Sequence, residues 1–213
     1  MTYYGNDKPG YEAGIGCVGL VRSRDLRHWE RFLPGPILRP QDGKDWERGT
    51  LYKSYLIRGP DGLFYLFYNA KNIPKPGKPW KECIGLATSR DLLHWERYPG
   101  NPVVRPGAPG SWDSRFTSDP VVFRWREFYI MFYYGFDGRH AREGLAVSRD
   151  LRHWTKWPHP ILDVGPPGSI DSLHAHKPSV VWHKGVFYHF YCCVRDRDGF
   201  RAITVATSKP VEK

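Results

Sequence analysis

The chain has 213 residues, of which 40% are apolar, a composition typical of a globular domain rather than of a disordered segment. It contains no run of about eighteen apolar residues, which excludes a membrane-spanning helix and argues against a membrane partner. The formal net charge is +10, but the basic residues are spread along the chain, so we interpret them as solvated strand edges and expect no nucleic-acid partner.

The chain carries three copies of one motif and a weaker fourth copy. Successive copies begin 66, 59 and 60 residues apart, a spacing typical of architectures built from one repeated unit. In chain order the copies are GLVRSRDLRHWE at 19–30, GLATSRDLLHWE at 85–96, GLAVSRDLRHWT at 144–155 and TVATSKP at 204–210.

Each period predicts four short strands. An inner strand such as 120–123 comes first, and after a turn an aromatic strand such as FYIMFYYGF follows. The GLATS-type strand comes third, and a weaker strand such as PVVRP comes last. Four antiparallel strands in each period are typical of a propeller blade. We therefore predict an all-β fold, a β-propeller of four-stranded antiparallel blades.

The predicted blades cover residues 1–40, 41–106, 107–162 and 163–213 of a single, partial propeller domain. A five-bladed ring at this period needs about 300 residues, so we expect about one and a half N-terminal blades to be missing. The alternative is a small four-bladed ring closed by an overlap. Open edges of a partial ring could pair with another copy of the chain, which would give a homo-oligomer.

The four cysteines favour free thiols over a disulfide framework. Cys17 and Cys83 precede the same motif in different blades, which places them too far apart for a bridge. Cys192 and Cys193 are neighbours in a strand and face opposite sides. Free thiols favour a cytoplasmic location, and the absence of a CxxC spacing gives no indication of zinc.

The phrases IGLATSRDLLHWERYPGNPVVRP and GLAVSRDLRHWTKWPHPIL resemble the five-bladed propeller glycosidases related to glycoside hydrolase family 43, the arabinanases and xylosidases. The same phrases also resemble β-mannoside phosphorylases and relatives of the fructan hydrolases. The resemblance implies a carbohydrate substrate and three acidic residues that face a central funnel. One of them acts as general base, one as general acid, and the third tunes the acid. It implies no required cofactor, although a single structural cation could occupy the central channel.

The turn S-x-D-x-x-x-W resembles the Asp-box of sialidase propellers and occurs in three blades. A catalytic centre is needed once and not in every blade, so we interpret this turn as structural. Its Ser and Asp side chains can hydrogen-bond the turn backbone while the Trp packs on the blade.

Positions at which the repeats differ are the candidates for function. Asp119 directly precedes an inner strand in the sequence SDP and resembles the family's tuning or base aspartate. Glu47 is our candidate for the general acid because of its longer reach, although the family's E-G-P acid motif is absent. Its aligned residues Asp113 and Asp171 are also acidic, which points to a structural role shared by the blades.

The segment LHAHKPSVV places His174 and His176 on one face of a strand. The resemblance implies that a histidine here could hold a metal ion in the channel or act as a catalytic acid. Two histidines alone make an incomplete metal site, so the metal assignment stays open. The alternative is that they are polar lining of a wet funnel.

Several basic residues accompany these candidates. Arg48, Lys53, Arg115 and Lys177 could bind a carboxylated sugar or a phosphate. Trp80 lies in the longer insert IPKPGKPW and is our candidate for a substrate platform, because loops carry specificity.

We therefore predict a glycoside-processing propeller that acts on oligosaccharides or polysaccharides by acid–base catalysis. A non-catalytic carbohydrate-binding propeller, or a truncated and decayed glycosidase, is the alternative. The resembling families keep their base on a blade that, by this count, precedes Met1, so we expect this chain alone to hydrolyse glycosides poorly. A WD or kelch interaction propeller is disfavoured because the G-H…W-D signature is absent.

Overall fold

The computed structural model describes residues 1–10 and 14–209. The weak fourth repeat ends at Pro210, which lies outside the described residues. Lys213, the last residue of the chain, also lies outside them. The described chain is built from strands with one short 3-10 helical turn at Pro40–Asp42. It divides into two compact units, unit 1 (Met1–Arg105 with Asp150–His153) and unit 2 (Pro106–Arg149 with Trp154–Lys213).

Unit 1 contains two antiparallel meanders that follow chain order. The first has the strand order β1-β2-β3, and the second has the order β4-β5-β6-β7. The strands are β1 (Thr2–Gly5), β2 (Cys17–Arg22), β3 (Glu30–Arg31), β4 (Thr50–Arg58), β5 (Phe64–Lys71), β6 (Glu82–Ser89) and β7 (Glu96–Arg97).

Unit 2 repeats the pattern with the meanders β8-β9-β10-β11 and β12-β13-β14. Strands β10 and β12 approach in parallel at the single pair Ala141 and His174. The strands are β8 (Phe116–Trp125), β9 (Phe128–Phe136), β10 (Ala141–Ser148), β11 (Thr155–Lys156), β12 (His174–His183), β13 (Val186–Val194) and β14 (Arg201–Thr207). The predicted inner segments 120–123 and 178–181 thus lie in the first strand of each meander.

The last strand of the first three blades is shorter than the sequence predicts. The predicted strand PVVRP contributes only an isolated bridge between Ile84 and Val104, and the paired strand in this blade is β7, two residues long. Pro102 and Pro106 have no backbone N–H to donate, which limits ladder formation across this segment. The outer edge of the blade is therefore held by a few bonds rather than by a continuous ladder.

The Asp-box turns are structural, as predicted. In the first copy, Asp25 accepts the backbone N–H groups of Arg27 and His28 at 2.9 and 2.8 Å, and its other oxygen lies 2.6 Å from His28 Nδ1. Asp91 and Asp150 make the same contacts in the other copies. The carboxylate thereby satisfies N–H groups that the turn leaves without a strand partner.

A glycine begins each full motif copy because an aromatic ring covers its backbone. Trp46 stacks on Tyr68 with a centroid distance of 6.1 Å, and a Cβ at Gly85 would lie 2.6 Å from both rings. Trp112 covers Gly144 in the same way in the next blade. The indoles that precede β4 and β8 therefore pack on the blade.

The buried core of unit 1 joins its two meanders. Val18 of β2, Leu51 of β4 and Leu66 of β5 are fully buried in one cluster with Leu38. Burying one such side chain contributes about 1.5–3 kcal/mol. The four cysteines are free thiols, as the sequence predicted from the repeat positions of Cys17 and Cys83 and from the adjacency of Cys192 and Cys193.

Candidate functional site

The first strand of each described blade from β4 onward is interrupted at the same repeat position. The register shifts lie between Leu51 and Ser54 in β4, between Ser118 and Val121 in β8, and between His176 and Ser179 in β12. Such bulges re-aim a side chain and are common beside binding sites. The residues that they contain include Lys53, Asp119 and Lys177, which are three of the predicted site residues.

Two of these bulge residues have a left-handed backbone. Asp119 has φ +54° and Lys177 has φ +64°, and each is followed by proline. This conformation costs a non-glycine residue on the order of 1 kcal/mol or more and is concentrated at functional positions. The structure therefore marks Asp119 and Lys177 as equivalent, constrained positions of successive blades.

Within unit 2, a short series of contacts leads from Asp119 to His176. The Asp119 carboxylate is buried, 5% exposed, and its Oδ1 accepts the Ser118 hydroxyl at 3.1 Å. Ser118 pairs across the strands with Tyr134, whose ring meets the His176 ring edge-on at 5.5 Å. The structure thus brings these two predicted residues into one neighbourhood.

The two histidines of β12 have complementary hydrogen-bonding roles. His176 Nδ1 lies 2.9 Å from the Cys192 carbonyl, which can only accept, so Nδ1 carries the proton and Nε2 holds a lone pair. His174 Nδ1 accepts the Ala141 N–H at 3.2 Å, so the proton of its neutral ring is on Nε2. With ring centroids 5.4 Å apart, the pair offers one acceptor and one donor side by side.

The surroundings of both histidines favour the neutral ring. Burial, reinforced by the positive charge of Lys177, lowers the pKa of His176 to about 3. Burial and then the charge of Arg201 lower the pKa of His174. A neutral His176 with a lone pair on Nε2 suits a hydrogen-bond acceptor or a base better than the acid named in the sequence analysis.

Arg115 adds a cation to the same part of unit 2. Its guanidinium lies 5.3 Å from the ring centroid of Phe116 and 5.8 Å from that of Phe136. The Phe136 ring in turn lies 6.0 Å from His174. Unit 2 therefore contains five of the predicted site residues, and aromatic rings contact three of them, Arg115, His174 and His176.

Glu47 lies in unit 1 and is enclosed by partners. Its Oε2 accepts the Tyr68 hydroxyl and the Arg97 Nε, both at 2.9 Å, and its Oε1 accepts the Lys44 N–H at 3.2 Å. The residue is 1% exposed, so neither oxygen is open to a glycosidic oxygen. This environment favours a structural role, and the predicted catalytic role is left without support from the contacts.

The aligned acids have the same kind of surroundings. Asp113 accepts Lys156 Nζ at 2.5 Å, and Asp171 accepts the Tyr191 hydroxyl at 2.8 Å. Burial, followed by the neighbouring Asp113 carboxylate, raises the pKa of Tyr133. An acid beside the tyrosine of the aromatic strand is therefore a feature that the blades share.

Arg48 and Trp80, two other predicted residues of unit 1, have partners other than the Glu47 carboxylate. Arg48 donates to the Gly43 carbonyl at 3.2 Å and lies 3.9 Å from the Asp45 carboxylate. The Lys71 ammonium lies 4.3 Å from the centroid of the Trp80 ring, so a cation covers one face of the predicted platform.

The described residues contain no group of three or more His, Cys, Asp or Glu side chains placed to hold a metal ion. None of the helices in the described ranges has the length and hydropathy to cross a membrane. The channel cation stays a prediction.

Sequence reasoning missed Tyr134 and the bulges. Tyr134 sits in a run of aromatic residues, and only the cross-strand register distinguishes it from its neighbours. Two of the bulges had a signal in the sequence, because proline follows residue 119 and residue 177 at the start of the predicted inner strands. Proline within a strand is typical of a bulge or an edge.

Comparison with known proteins finds glycoside hydrolases and glycoside phosphorylases among the proteins similar to this chain. No family model matches the chain. A curated 1,2-β-oligomannan phosphorylase of Thermoanaerobacter sp. (strain X514) is 30% identical over 132 residues, which are 60% of this chain and 43% of that protein. A curated β-fructofuranosidase of Arabidopsis thaliana, the insoluble isoenzyme CWINV5, is 29% identical over 137 residues, covering 57% of this chain and 22% of that protein.

Solved structures agree with the curated relatives. A structure described as a glycoside hydrolase aligns with 99% of this chain at 36% identity with a TM-score of 0.84. The alignment covers 62% of that protein, and a thermostable family-43 glycoside hydrolase matches in fold, at 19% identity, with a TM-score of 0.69. The relatives are five-bladed propeller glycosidases and phosphorylases, as the motifs predicted, and the fold is all-β and consistent with a partial propeller. The chain spans about 62% of this solved relative and less than half of the curated ones.

Proposed function

We propose that the chain binds and processes O-glycosidic bonds of an oligosaccharide or polysaccharide by acid–base chemistry, and that the cluster around Asp119 and His176 contacts the sugar. The observation that carries this proposal is the buried Asp119 carboxylate on a left-handed bulge of β8. The names of the relatives support it, because they are hydrolases and phosphorylases of glycosides.

The side chains of unit 2 have suitable chemistry for a sugar ring. The Asp119 carboxylate would accept a hydrogen bond from a sugar hydroxyl, or it would take the proton of an attacking water or phosphate. The His176 Nε2 lone pair would accept a second hydroxyl, while His174 Nε2–H would donate to a sugar oxygen. Lys177 supplies a positive charge to an anionic group.

A complete glycosidase mechanism also needs a second carboxyl group at a set spacing across the scissile bond. Glu47 is a poor choice because its oxygens are occupied by Tyr68, Arg97 and the Lys44 N–H. Binding is therefore measured first, because it reports the sugar site whether or not turnover follows.

The test compares the parent chain with Asp119→Asn and His176→Gln. Binding to neutral arabino-, xylo-, manno- and galacto-oligosaccharides is measured by calorimetry, and turnover is assayed with the matching aryl glycosides, with and without phosphate. Asp198→Asn is the matched control, because this carboxylate of unit 2 is solvent-exposed. Faster turnover with phosphate would identify a phosphorylase.

We expect Asp119→Asn to lower turnover by about 10²–10⁴-fold, the usual effect of losing an acid or base, while the control is unchanged. Unchanged binding and turnover in both site variants would refute the proposal.

The second candidate function is carbohydrate binding without catalysis. It is favoured by the burial of Glu47, which leaves Asp119 as the one predicted catalytic carboxylate without an ion-pair partner among the described side chains. Binding that depends on Asp119, with no turnover of any substrate, would identify this function.

A further inference from the structure

A loop that the other repeats lack forms one wall of a pocket in unit 1. We define the insert loop as residues 72–81, which account for the longer period of 66 residues. Asn72 and Lys81 close its neck, because the Asn72 N–H donates to the Lys81 carbonyl at 3.3 Å and the Lys81 N–H donates to Asn72 Oδ1 at 2.6 Å. Two hydrogen bonds between Asn72 and Lys81 therefore close the base of the loop.

A tight turn inside the loop brings two lysines close together. The Lys78 N–H donates to the Lys75 carbonyl at 2.9 Å, and Gly77 between them has φ +72°, a backbone that favours glycine. The turn therefore presents two ammonium groups from one short segment.

The insert loop faces a cavity of about 490 Å³, a volume within the usual range of small-ligand sites. Four cations line it, namely Arg48, Lys75, Lys78 and Lys81, against the single carboxylate of Asp45. Trp46, Ile73 and Pro79 supply an apolar wall, and Ile73 is 58% exposed. The pocket thus combines an apolar surface with a positive charge.

Within residues 1–10 and 14–209, no ion pair accounts for the three lysines of the pocket. Among the described residues, no carboxylate lies within ion-pair distance of the Lys75, Lys78 or Lys81 ammonium groups, whereas Arg48 has only Asp45 at 3.9 Å. Like charges around one cavity repel each other, and an anion in the cavity would relieve that repulsion.

We propose that this pocket binds a carboxylated sugar, a uronate unit of the glycan, so that the chain prefers acidic glycans. This inference rests on the proposed function, because it takes the ligand to be a glycan. The lysines attract the carboxylate as point charges, and the apolar wall of Trp46 and Ile73 packs on the C–H face of the ring. A uronate would use both the lysine charges and the apolar wall, whereas a phosphate ion would use only the charges.

The experiment measures binding of a galacturonic acid trimer and of its methyl-esterified form by calorimetry at low and high salt. The variant carries Lys75→Gln, Lys78→Gln and Lys81→Gln. The matched control removes three positive charges elsewhere, through Arg27→Gln, Lys44→Gln and Lys184→Gln, all at exposed positions. Circular dichroism checks that both variants fold.

We expect the acid trimer to bind the parent at least about tenfold more tightly than the ester, with an affinity that falls as salt rises. The lysine variant should lose this preference, and the control should keep it. Equal binding of acid and ester by the parent, or an unchanged preference in the lysine variant, would overturn the inference.

Two competition experiments test the class of ligand. Inorganic phosphate, or a single-stranded oligonucleotide of equal charge, should compete poorly with the acid trimer. Competition as strong as that of the trimer itself would overturn the assignment to a sugar. The proposed function is judged separately, by the Asp119 and His176 variants on neutral glycans, so either idea can fail without the other.

Discussion

Glu47→Gln distinguishes a structural from a catalytic Glu47, and we expect it to destabilise the protein. The carboxylate is 1% exposed, and its Oε2 lies 2.9 Å from Arg97 Nε. Breaking a buried ion pair by removing one partner costs about 3–5 kcal/mol. The Arg97 side chain is 21% exposed, and glutamine keeps one acceptor oxygen, so we expect a loss of about 2–3 kcal/mol.

The free energy of unfolding is measured by urea denaturation with tryptophan fluorescence. Glu96→Gln is the matched control. Glu96 directly precedes Arg97 and its side chain is exposed, so its substitution should change the free energy of unfolding by less than about 0.5 kcal/mol. A double-mutant cycle with Arg97→Met isolates the pair, and we expect a coupling energy of about 1–3 kcal/mol.

An unchanged free energy of unfolding in Glu47→Gln would contradict the structural role of Glu47. If the same variant also abolished glycoside turnover, Glu47 would be the catalytic acid that its sequence position suggests. A catalytic Glu47 therefore predicts lost activity with unchanged stability. A structural Glu47 predicts lower stability with normal activity per folded molecule.

Two further predictions concern pH and self-association. Because the pKa of His176 falls to about 3 in the fold, the unfolded chain binds one more proton between pH 6.5 and 3, so stability should fall on acidification by at most about 1.4 kcal/mol per pH unit. His176→Gln should flatten this decline, and identical pH profiles in urea titrations would contradict it. Ile203 is 78% exposed on β14, whereas the aligned Val18 and Ile84 are fully buried. If this open edge drives self-association, Ile203→Lys should shift the chain toward monomer in sedimentation velocity, and an unchanged distribution would argue against the edge.

The repeats in the sequence determined most of the architecture. Three copies of one turn motif, each preceded by an aromatic strand, predicted the successive antiparallel meanders and the structural role of the Asp-box. These features depend on contacts between residues close in sequence, such as Asp25 with His28. Local hydrogen bonding and alternation of side chains are properties that a sequence pattern records directly.

Only the tertiary structure decided what the candidate residues do. Glu47 and Asp119 are both acidic residues near an inner strand, yet Arg97, fifty residues away from Glu47, encloses one of them, while a bulge re-aims the other. The tautomers of His174 and His176 depend on the Ala141 N–H and the Cys192 carbonyl, which belong to neighbouring strands. Burial, pairing and charge depend on which distant residues the folded chain brings within a few ångströms, and the repeat pattern does not contain that information.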